Sequence, residues 1–401
     1  MATNKNDKTL NVPHLRFPEF SGEWYSYPLT DFMSFKNGMN PDAKRFGRGI
    51  KFISVMDILN NQFICYDNIR ASVEVIEGDI ETYGVNYGDI LFQRSSETLE
   101  DVGQANVYLD RKPAVFGGFV IRGKSKGNYH PVFFRYLLAS PTARKRIIVK
   151  GAGAQHFNIG QDGLSRVCLN IPSIQEQEKI AKLFECVDTR IATQNKIIEK
   201  YESLIKGLNN ILLYGTGGKS VCLGDILLER SERSRTNNQH EVLSSTVKGI
   251  FSQREYFSKD IASENNVGYK IIRLHDVVLS PQNLWMGNIN YNDRFEIGIV
   301  SPSYKVFSIA DGYDNQFVAA MLKTHRALYS YMMVSEQGAS IVRRNLNMEA
   351  FSQLVFKIPS LDKQREIGCA ISLLKSQLKT ANKLIRAYTS QKQYLLRQMF
   401  I

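Results

Sequence analysis

Hydrophobic residues recur at alternating steps of three and four along two long stretches of the chain. In the first stretch the positions are apolar or aromatic apart from Gln194, and they are 180, 184, 187, 191, 194, 198, 201, 205, 208 and 212. In the second stretch Lys392 is the strongly polar exception, and the positions are 367, 371, 374, 378, 381, 385, 388, 392, 395 and 399. This spacing is the heptad pattern of a coiled coil, so it predicts two long helices whose apolar stripes pack together.

The two stretches belong to a longer internal repeat. Ile171-Pro172-Ser173 returns as Ile358-Pro359-Ser360, which sets an offset of 187 residues, and the heptad positions keep this offset without a gap. Upstream, the segment 88–92 falls opposite 275–279 at the same offset, with His275 in place of Gly88. A repeat this long indicates two duplicated domains rather than a solenoid. If the copies are related by a pseudo-twofold axis, the helices run antiparallel.

The starts of the two helices carry capping signals. Ser173 with Glu176 three residues later forms a capping-box signature, and Pro172 blocks extension backwards, so we expect the first helix to begin near residue 174. Ser360 offers a weaker cap for the second helix. A helix from 174 to 213 would be about 60 Å long. Two alternatives remain open: helices packed on their own domains, and a coiled coil between copies of the chain.

The remaining segments alternate short β-type runs with Gly, Asn and Asp, as in 51–55, 89–92, 114–121, 271–274 and 277–279. One helical segment is predicted late in each, at 131–149 and 315–334. We therefore predict an α+β protein with two tandem mixed α/β domains joined by two long antiparallel coiled-coil helices with pseudo-twofold symmetry. The predicted boundaries are 1–172 for the first domain, 173–214 for the central helix, 215–359 for the second domain and 360–401 for the C-terminal helix.

Composition narrows the class of protein. The 401 residues are 43% hydrophobic, which suffices for two ordinary cores, and the net charge of +12 favours an anionic partner such as nucleic acid. Five scattered cysteines without a CxxC pair indicate reduced thiols rather than a disulfide frame or a zinc site. Reduced thiols favour a cytoplasmic protein. No segment has the length of apolar sequence that a spanning helix requires, so we expect no membrane contact.

Basic and amide side chains cluster in the segments predicted to be loops. The candidate DNA-binding residues are Lys44, Arg45, Arg48, Arg94, Ser95, Gln155, His156, Asn158, Arg233, Arg235, Gln282, Asn283, Arg343, Arg344 and Asn345. Arg, Gln and Asn can make paired hydrogen bonds to base edges, whereas Lys and Ser more often hold phosphate. For each residue the alternative is ordinary solvated surface.

Motifs for catalysis are missing from the sequence. The segment 215–220 has two residues between its glycines where a phosphate loop needs four, so we interpret it as the end of the first helix. The six histidines form no HxxxH or HExxH pair, and no G-x-S-x-G elbow occurs. The chain also has no Pro-Pro-aromatic motif of the kind that amino-methyltransferases use to hold an extruded base. We therefore expect no catalytic residues and no metal site, which argues against a self-contained enzyme such as a fused methyltransferase.

The whole plan resembles a type I restriction-modification specificity subunit. The resemblance rests on the paired helix entries at 171–180 and 358–367, the leader-like segment 11–20, and the segment 87–94, Tyr-Gly-Asp-Ile-Leu-Phe-Gln-Arg. It implies a noncatalytic reader of double-stranded DNA, in which each domain recognises one half of a bipartite target and the coil sets the spacing between halves. The second copy has Pro281 opposite Arg94, so a DNA role cannot be transferred to that position.

The resemblance also implies partners for this chain. These are two methyltransferase subunits and ATP-dependent restriction subunits, which would carry S-adenosylmethionine, ATP and Mg, while this chain binds no cofactor itself. A stand-alone coiled-coil DNA-binding regulator is the alternative. The two differ in whether the purified chain binds its site tightly without partners.

Overall fold

A computed structural model of the chain describes residues 11–153, 156–214, 217–256, 265–337 and 343–401. They form two compact units, one containing the described residues up to Gln194 together with Leu384–Ile401, and the other Asn195–Lys383. The boundary between the units therefore falls inside both long helices. Among the described residues, no helix has both the length and the apolar character needed to cross a bilayer.

The first unit contains eleven described strands and five short described α-helices before its long helix. The strands are β1 Tyr25–Pro28, β2 Met33–Asn37, β3 Phe46–Ile53, β4 Ala71–Val73, β5 Ile90–Gln93, β6 Ser95–Ser96, β7 Ala105–Val107, β8 Val115–Phe116, β9 Val120–Ser125, β10 Phe157–Asn158 and β11 Cys168–Ile171. The helices are α1 Val55–Asn60, α2 Asp79–Tyr83, α3 Pro131–Ala139, α4 Pro141–Ile148 and α5 Gln161–Ser165, followed by α6 Ile174–Tyr214.

The core of the first unit lies between an antiparallel sheet and its helices. The sheet has the order β2-β9-β5-β7, and α3 packs on it through buried apolar side chains such as Phe133 and Phe134. A three-stranded sheet, β4-β3-β8, carries a smaller core. Trp24 and Phe400 join the main cluster, with their ring centroids 6.4 Å apart, so residues close to both ends of the chain contribute to one core.

The second unit contains the described strands β12 Lys219–Cys222, β13 Leu227–Arg230, β14 Leu243–Thr246, β15 Gly249–Ser252, β16 Lys270–Arg273, β17 Val277–Leu279, β18 Ile289–Tyr291, β19 Ile297–Val300, β20 Lys305–Ile309, β21 Ser335–Gln337, β22 Arg344–Leu346 and β23 Val355–Ile358. Its α-helices are α7 Leu223–Ile226, α8 Gln253–Tyr256, α9 Asn315–Met321, α10 His325–Met333, α11 Met348–Ser352 and the long α12 Leu361–Gln398, which belongs to the first unit from Leu384 onwards.

The two units repeat one topology. The sheet β13-β20-β17-β18 has the strand order and antiparallel pairing of β2-β9-β5-β7, and the pair β12–β23 corresponds to β1–β11. The strands β5 and β17 begin at residues 90 and 277, and β11 and β23 at 168 and 355, which keeps the offset of 187. The fold is α+β, with two related domains and two long helices, as the sequence predicts.

A buried glutamine makes the same pair of hydrogen bonds in each unit. Gln177 donates to the Pro172 carbonyl at 3.0 Å and accepts from the His130 N–H at 3.0 Å. Gln364, 187 residues later, donates to the Pro359 carbonyl at 2.9 Å and accepts from the N–H of Asp314 at 2.9 Å. His130 and Asp314 are the N-cap residues of α3 and α9. Each glutamine therefore ties the start of a long helix to the start of a domain helix, and we call this pair of bonds the glutamine clamp.

The heptad positions form the buried faces of α6 and α12. Every predicted seam position of known exposure is buried or half-buried, including the polar Gln194 and Lys392. In the first unit the end of α12 lies against the start of α6, because Lys392 pairs with Asp188 at 2.6 Å and Phe400 contacts Phe184. In the second unit Leu208, late in α6, packs on a core that includes Ile367 from the start of α12. The helices are antiparallel within each unit.

Two local predictions need correction. The segments 131–149 and 315–334 each contain two helices instead of one, since Ser140 ends α3 and caps α4, and Thr324 caps α10. The predicted capping box at the start of α6 is replaced by an ion pair. The Glu176 carboxylate accepts two hydrogen bonds from Arg16, both at 2.8 Å, while Ser173 still accepts from the Glu176 N–H at 3.4 Å. The predicted glycine stop after the first helix, at Gly215, lies outside the described residues.

The substitution of His275 for Gly88 leaves the backbone geometry unchanged. Gly88 has φ of 88° and His275 has φ of 75°, so both turns before the central strand use the left-handed region. A non-glycine residue pays a steric penalty there. The next residue in each copy, Asp89 or Asp276, is buried and accepts backbone hydrogen bonds, from the N–H three residues before it in both cases, which fixes the turn.

Candidate nucleic-acid interface

In the first unit, four of the predicted DNA-binding residues lie together at the end of the central strand β5. The short strand β6 follows it and pairs with β10, so that Ser95 faces Asn158 and its hydroxyl donates to the Asn158 Oδ1. Arg94 is half-buried and donates to the Gly118 carbonyl at 3.3 Å. His156 is exposed, and its carbonyl accepts from the Asn158 side chain at 3.3 Å. We call Arg94, Ser95, His156 and Asn158 the first cluster.

The first cluster includes an exposed aromatic neighbour that the sequence reasoning missed. Phe119 is 69% exposed, and its carbonyl accepts from the Arg94 N–H at 2.9 Å. The turn that presents it is tightly packed, since a Cβ on Gly118 would lie 2.1 Å from the Asn40 Oδ1. The sequence feature that could have predicted this turn is the pair of glycines inside an otherwise apolar run, because glycines there indicate a close approach of the backbone to neighbouring atoms.

In the second unit, Gln282, Asn283, Arg344 and Asn345 also lie together. The Arg344 N–H donates to the Gln282 carbonyl at 3.1 Å, and Arg344 and Asn345 lie on β22. Gln282 and Asn345 are exposed, whereas the Asn283 Oδ1 is buried without a hydrogen-bond partner among the described residues. The Arg344 guanidinium is held internally, because its Nε donates to Ser335 Oγ at 3.0 Å. We call these four residues the second cluster.

The two clusters occupy equivalent positions in the repeat. At the offset of 187, Ser95 corresponds to Gln282 and Asn158 to Asn345, and in both copies the segment after the central strand contacts the strand that precedes the last short helix. Arg94 corresponds to Pro281. The two units therefore present their clusters at equivalent places in the fold, with different hydrogen-bonding groups.

A family model matches part of this chain. Residues 21–203 match the model for the type I restriction modification DNA specificity domain. The match covers 183 of the 401 residues, and this stretch of the chain is similar to that DNA specificity domain.

Two curated proteins are similar to this chain at low identity. One is described as the type I restriction enzyme MjaX specificity subunit of Methanocaldococcus jannaschii, 24% identical over 50% of this chain and 48% of its own length. The other is the type I restriction enzyme EcoKI specificity subunit of Escherichia coli, 24% identical over 43% of this chain and 38% of its own length. This chain thus aligns with half or less of the length of these relatives.

The fold has a solved counterpart over nearly its whole length. The type I restriction-modification system S subunit from M. genitalium aligns with 97% of this chain and 99% of its own, with a TM-score of 0.59 and 14% identity. At this identity the match concerns the fold alone. It is consistent with two domains and two long helices in one chain.

The other predicted binding residues, except Arg343, lie apart from the two clusters or in ion pairs. Arg45 pairs with Asp79, and Arg48 pairs with Glu74 at 2.8 Å, both within the first unit. The Ile76 N–H, the largest cause, and then Arg45 hold the pKa of Asp79 below its usual value. Lys44 is exposed beside them. Gln155 lies outside the described residues.

In the second unit Arg233, Arg235 and Arg343 are exposed. Arg233 donates to the Gly268 carbonyl at 2.9 Å and forms an isolated β-bridge with Lys270. The Arg235 backbone N–H donates to the Gln239 side chain at 2.7 Å. Arg343 immediately precedes β22 and extends the second cluster. Within the described ranges, no three His, Cys, Asp or Glu side chains are grouped in a way that could hold a metal ion.

Proposed function

We propose that this chain is the noncatalytic, sequence-specific DNA-binding subunit of a cytoplasmic type I restriction-modification complex. Residues 1–172 and 215–359 are its two target-recognition domains, each reading one half of a bipartite target in double-stranded DNA. The observation that carries this proposal is the presence of two equivalent surface clusters with different chemistry on duplicated domains. The net charge of +12 supports it, because cations that neutralise phosphates dominate DNA affinity.

The chemistry of the clusters predicts two unlike half-sites. The first cluster offers a guanidinium at Arg94 and a small hydroxyl at Ser95, which suit guanine and phosphate respectively. The second cluster offers an amide at Gln282 in the position of Ser95 and has Pro281, without a side-chain donor, in the position of Arg94. An amide pairs well with adenine. A chain with two different readers recognises an asymmetric target.

The long helices set the distance between the half-sites and dock the methyltransferase subunits. Their seam faces are buried, yet several apolar side chains outside the seam remain more than a third exposed: Ile197, Leu204, Leu373, Leu384 and Tyr394. Apolar residues exposed on a rod-shaped helix favour an interface with another protein. Two methyltransferase subunits and the restriction subunits would supply S-adenosylmethionine, ATP and Mg, and this chain would hold none of them.

Genome-wide mapping of methylated adenines tests the proposal. The chain is coexpressed with its neighbouring methyltransferase subunit, and we expect a split motif with a fixed gap. A double substitution, Ser95→Ala with Asn158→Ala, should relax one half of the motif only, and Gln282→Ala with Asn345→Ala should relax the other half only.

The control variant is Lys145→Ala, because Lys145 is exposed on α4 of the first unit and lies outside both clusters. It should leave the motif unchanged. Loss of both halves in either cluster variant would contradict the two-reader arrangement. Tight DNA binding by the chain alone, without any methylation in the coexpressing host, would identify a stand-alone regulator instead.

A further inference from the structure

A basic cleft lies in the second unit between the hairpin β14–β15, helix α9 and helix α12. Its volume is about 540 Å³. The charged side chains that line it are Lys248, Asp293, Arg294, Lys323, Lys375 and Lys379, and Ser372 and Ser376 add hydroxyl groups from α12. All of these residues belong to one compact unit. Neither cluster of the candidate nucleic-acid interface contributes to this cleft.

The cleft lies where the first unit has large side chains on the equivalent helix. Counted from the cap residue of each helix, Arg135 and Tyr136 of α3 correspond to Ala319 and Ala320 of α9. In the first unit Tyr136 stacks on Phe184 and its hydroxyl donates to Asp188 at 2.6 Å. In the second unit two alanines stand where two large side chains fill the first unit. The space they leave contributes to the cleft, which Ala319 lines.

The charge at this place is reversed between the two units. Asp188 and Lys375 lie at the same position of the repeat, each fourteen residues after the start of its long helix. Asp188 is buried and ion-paired with Lys392 at 2.6 Å, and its charge also favours the cationic form of Arg135. In the second unit a lysine takes the place of this carboxylate, so the internal counterion of the first unit is missing.

A buried asparagine holds a cation in both units. Asn106 and Asn290 are equivalent on strands β7 and β18, and the Oδ1 of Asn106 accepts from Arg135 at 3.0 Å. The Oδ1 of Asn290 accepts from the Lys323 ammonium at 2.5 Å. Burial, and then the charge of Lys375, lower the pKa of Lys323 to about 8. Lys323 is thus held in place beside another lysine.

The cleft carries an excess of positive charge. Of its cations, Arg294 is paired with Glu255 at 2.8 Å, and Asp293 is the carboxylate among the lining residues that acts on Lys375. Four lysines remain against that one carboxylate. Ammonium groups donate hydrogen bonds and accept none, so the complementary ligand is a compact anion with several acceptor oxygens.

We infer that this cleft binds a phosphate group, held chiefly by Lys323 and Lys375. A phosphate group carries at least one negative charge and at least two non-bridging oxygens, so it can bridge two ammonium groups and also accept from the serine hydroxyls. The phosphate can come from the backbone of bound DNA or from a free phosphate compound. The first source rests on the proposed function, whereas the second does not.

The test is phosphate binding by the full-length chain and by Lys375→Asp, which restores the carboxylate of the first unit. Inorganic phosphate is titrated by calorimetry at constant ionic strength, with chloride as the reference salt. We expect the wild-type chain to bind phosphate and Lys375→Asp to lose at least about 10-fold in affinity, because the substitution replaces an attractive charge with a repulsive one. Lys323→Gln should weaken binding as well.

The matched control is Lys383→Asp, the same change of charge at an exposed position of the same helix outside the cleft. It should bind phosphate as the wild type does. Thermal melts in phosphate-free buffer verify folding, and there Lys375→Asp should be at least as stable as the wild type, because an ion pair with Lys323 replaces two like charges. Equal responses to phosphate and chloride, or equal losses in the two aspartate variants, would overturn the inference.

Duplex DNA distinguishes the two sources. If the site takes a backbone phosphate, a saturating mixed-sequence duplex should compete with inorganic phosphate, and Lys375→Asp should lower the salt dependence of DNA binding. If the site takes a free compound, phosphate should bind equally with and without the duplex. If the proposed function is wrong, the wild-type chain should bind inorganic phosphate but not duplex DNA.

Discussion

Substitution of the clamp glutamine Gln177 by methionine tests whether this side chain holds α6 to the first domain. Methionine has nearly the same length and no hydrogen-bonding group of comparable strength, so the change removes two hydrogen bonds with little change in volume. Gln177 is only 3% exposed, and both partners are backbone groups, the His130 N–H and the Pro172 carbonyl. Neither can move to another partner without displacing a helix start.

The magnitude follows from these contacts. Each intramolecular hydrogen bond contributes about 1 kcal/mol net, and a buried backbone group left without a partner costs about 1–3 kcal/mol. The Pro172 carbonyl is buried and the His130 N–H partly so, which places the expected loss of unfolding free energy at about 2–4 kcal/mol. At the urea sensitivity of a domain of this size, the midpoint should fall by about 1–2 M.

Tryptophan fluorescence can follow each unit separately. The two tryptophans are Trp24 in the core of the first unit and Trp285 in the second. In a Trp285→Phe background, urea unfolding of Gln177→Met is therefore followed through Trp24. Gln364→Met makes the corresponding change in the second unit and should lower the midpoint followed through Trp285 in a Trp24→Phe background.

The control is Gln175→Met, two residues earlier on the same helix and exposed. Exposed substitutions of this kind change stability by less than about 0.5 kcal/mol. If Gln177→Met shifts the midpoint no more than Gln175→Met does, the clamp does not stabilise the unit and the reasoning is refuted.

Three further predictions concern charged residues. Asp188→Asn should lower the free energy of unfolding in urea by about 2–4 kcal/mol, because it leaves Lys392 without its counterion. Adding Lys392→Gln should recover part of this loss. No recovery would mean that the ion pair contributes little. Arg94→Ala should weaken binding to the target duplex by about 1–3 kcal/mol and relax the motif at one position of the first half-site, whereas an unchanged motif would exclude a base contact there. The free energy of unfolding should rise between about pH 8 and pH 10, because the unfolded chain keeps the Lys323 proton that the folded chain releases. Urea midpoints should rise less over this range in Lys323→Met than in the wild type. An equal rise in both proteins would contradict the lowered pKa of Lys323.

The hydrophobic spacing predicted which residues of the long helices are buried, because the face of a helix on which a residue lies depends on its spacing along the chain. The seam positions lie on the buried faces, and α6 and α12 begin at Ile174 and Leu361, directly after the repeated Pro-Ser pairs. The pairing of Lys392 with Asp188 was beyond this reasoning. Asp188 is not a seam position, and the two residues meet only because the helices are antiparallel in the first unit.

Charge and amide content predicted part of the candidate interface. Ser95 and Asn158 are brought together from 63 residues apart, and Gln282 and Arg344 from 62 residues apart. The sequence could not separate these from Arg45, whose guanidinium is occupied by Asp79, since an ion pair between distant residues depends on the three-dimensional fold. Phe119 was missed for the opposite reason: it belongs to an apolar run, and only the packing of the turn leaves it exposed.

Because the domain occurs twice, residues that the fold requires can be distinguished from residues that a ligand would require. Features that hold the scaffold together are kept, as the buried clamp glutamines and the left-handed turns at Gly88 and His275 demonstrate. The half-buried positions at the ends of the equivalent central strands are not kept, since Pro281 stands where the first unit has Arg94. Selection for a common fold explains the first group and would not by itself change the second. Two surfaces that diverge on a retained scaffold are therefore expected if each meets a different part of one asymmetric ligand, which is the situation that a bipartite DNA target creates.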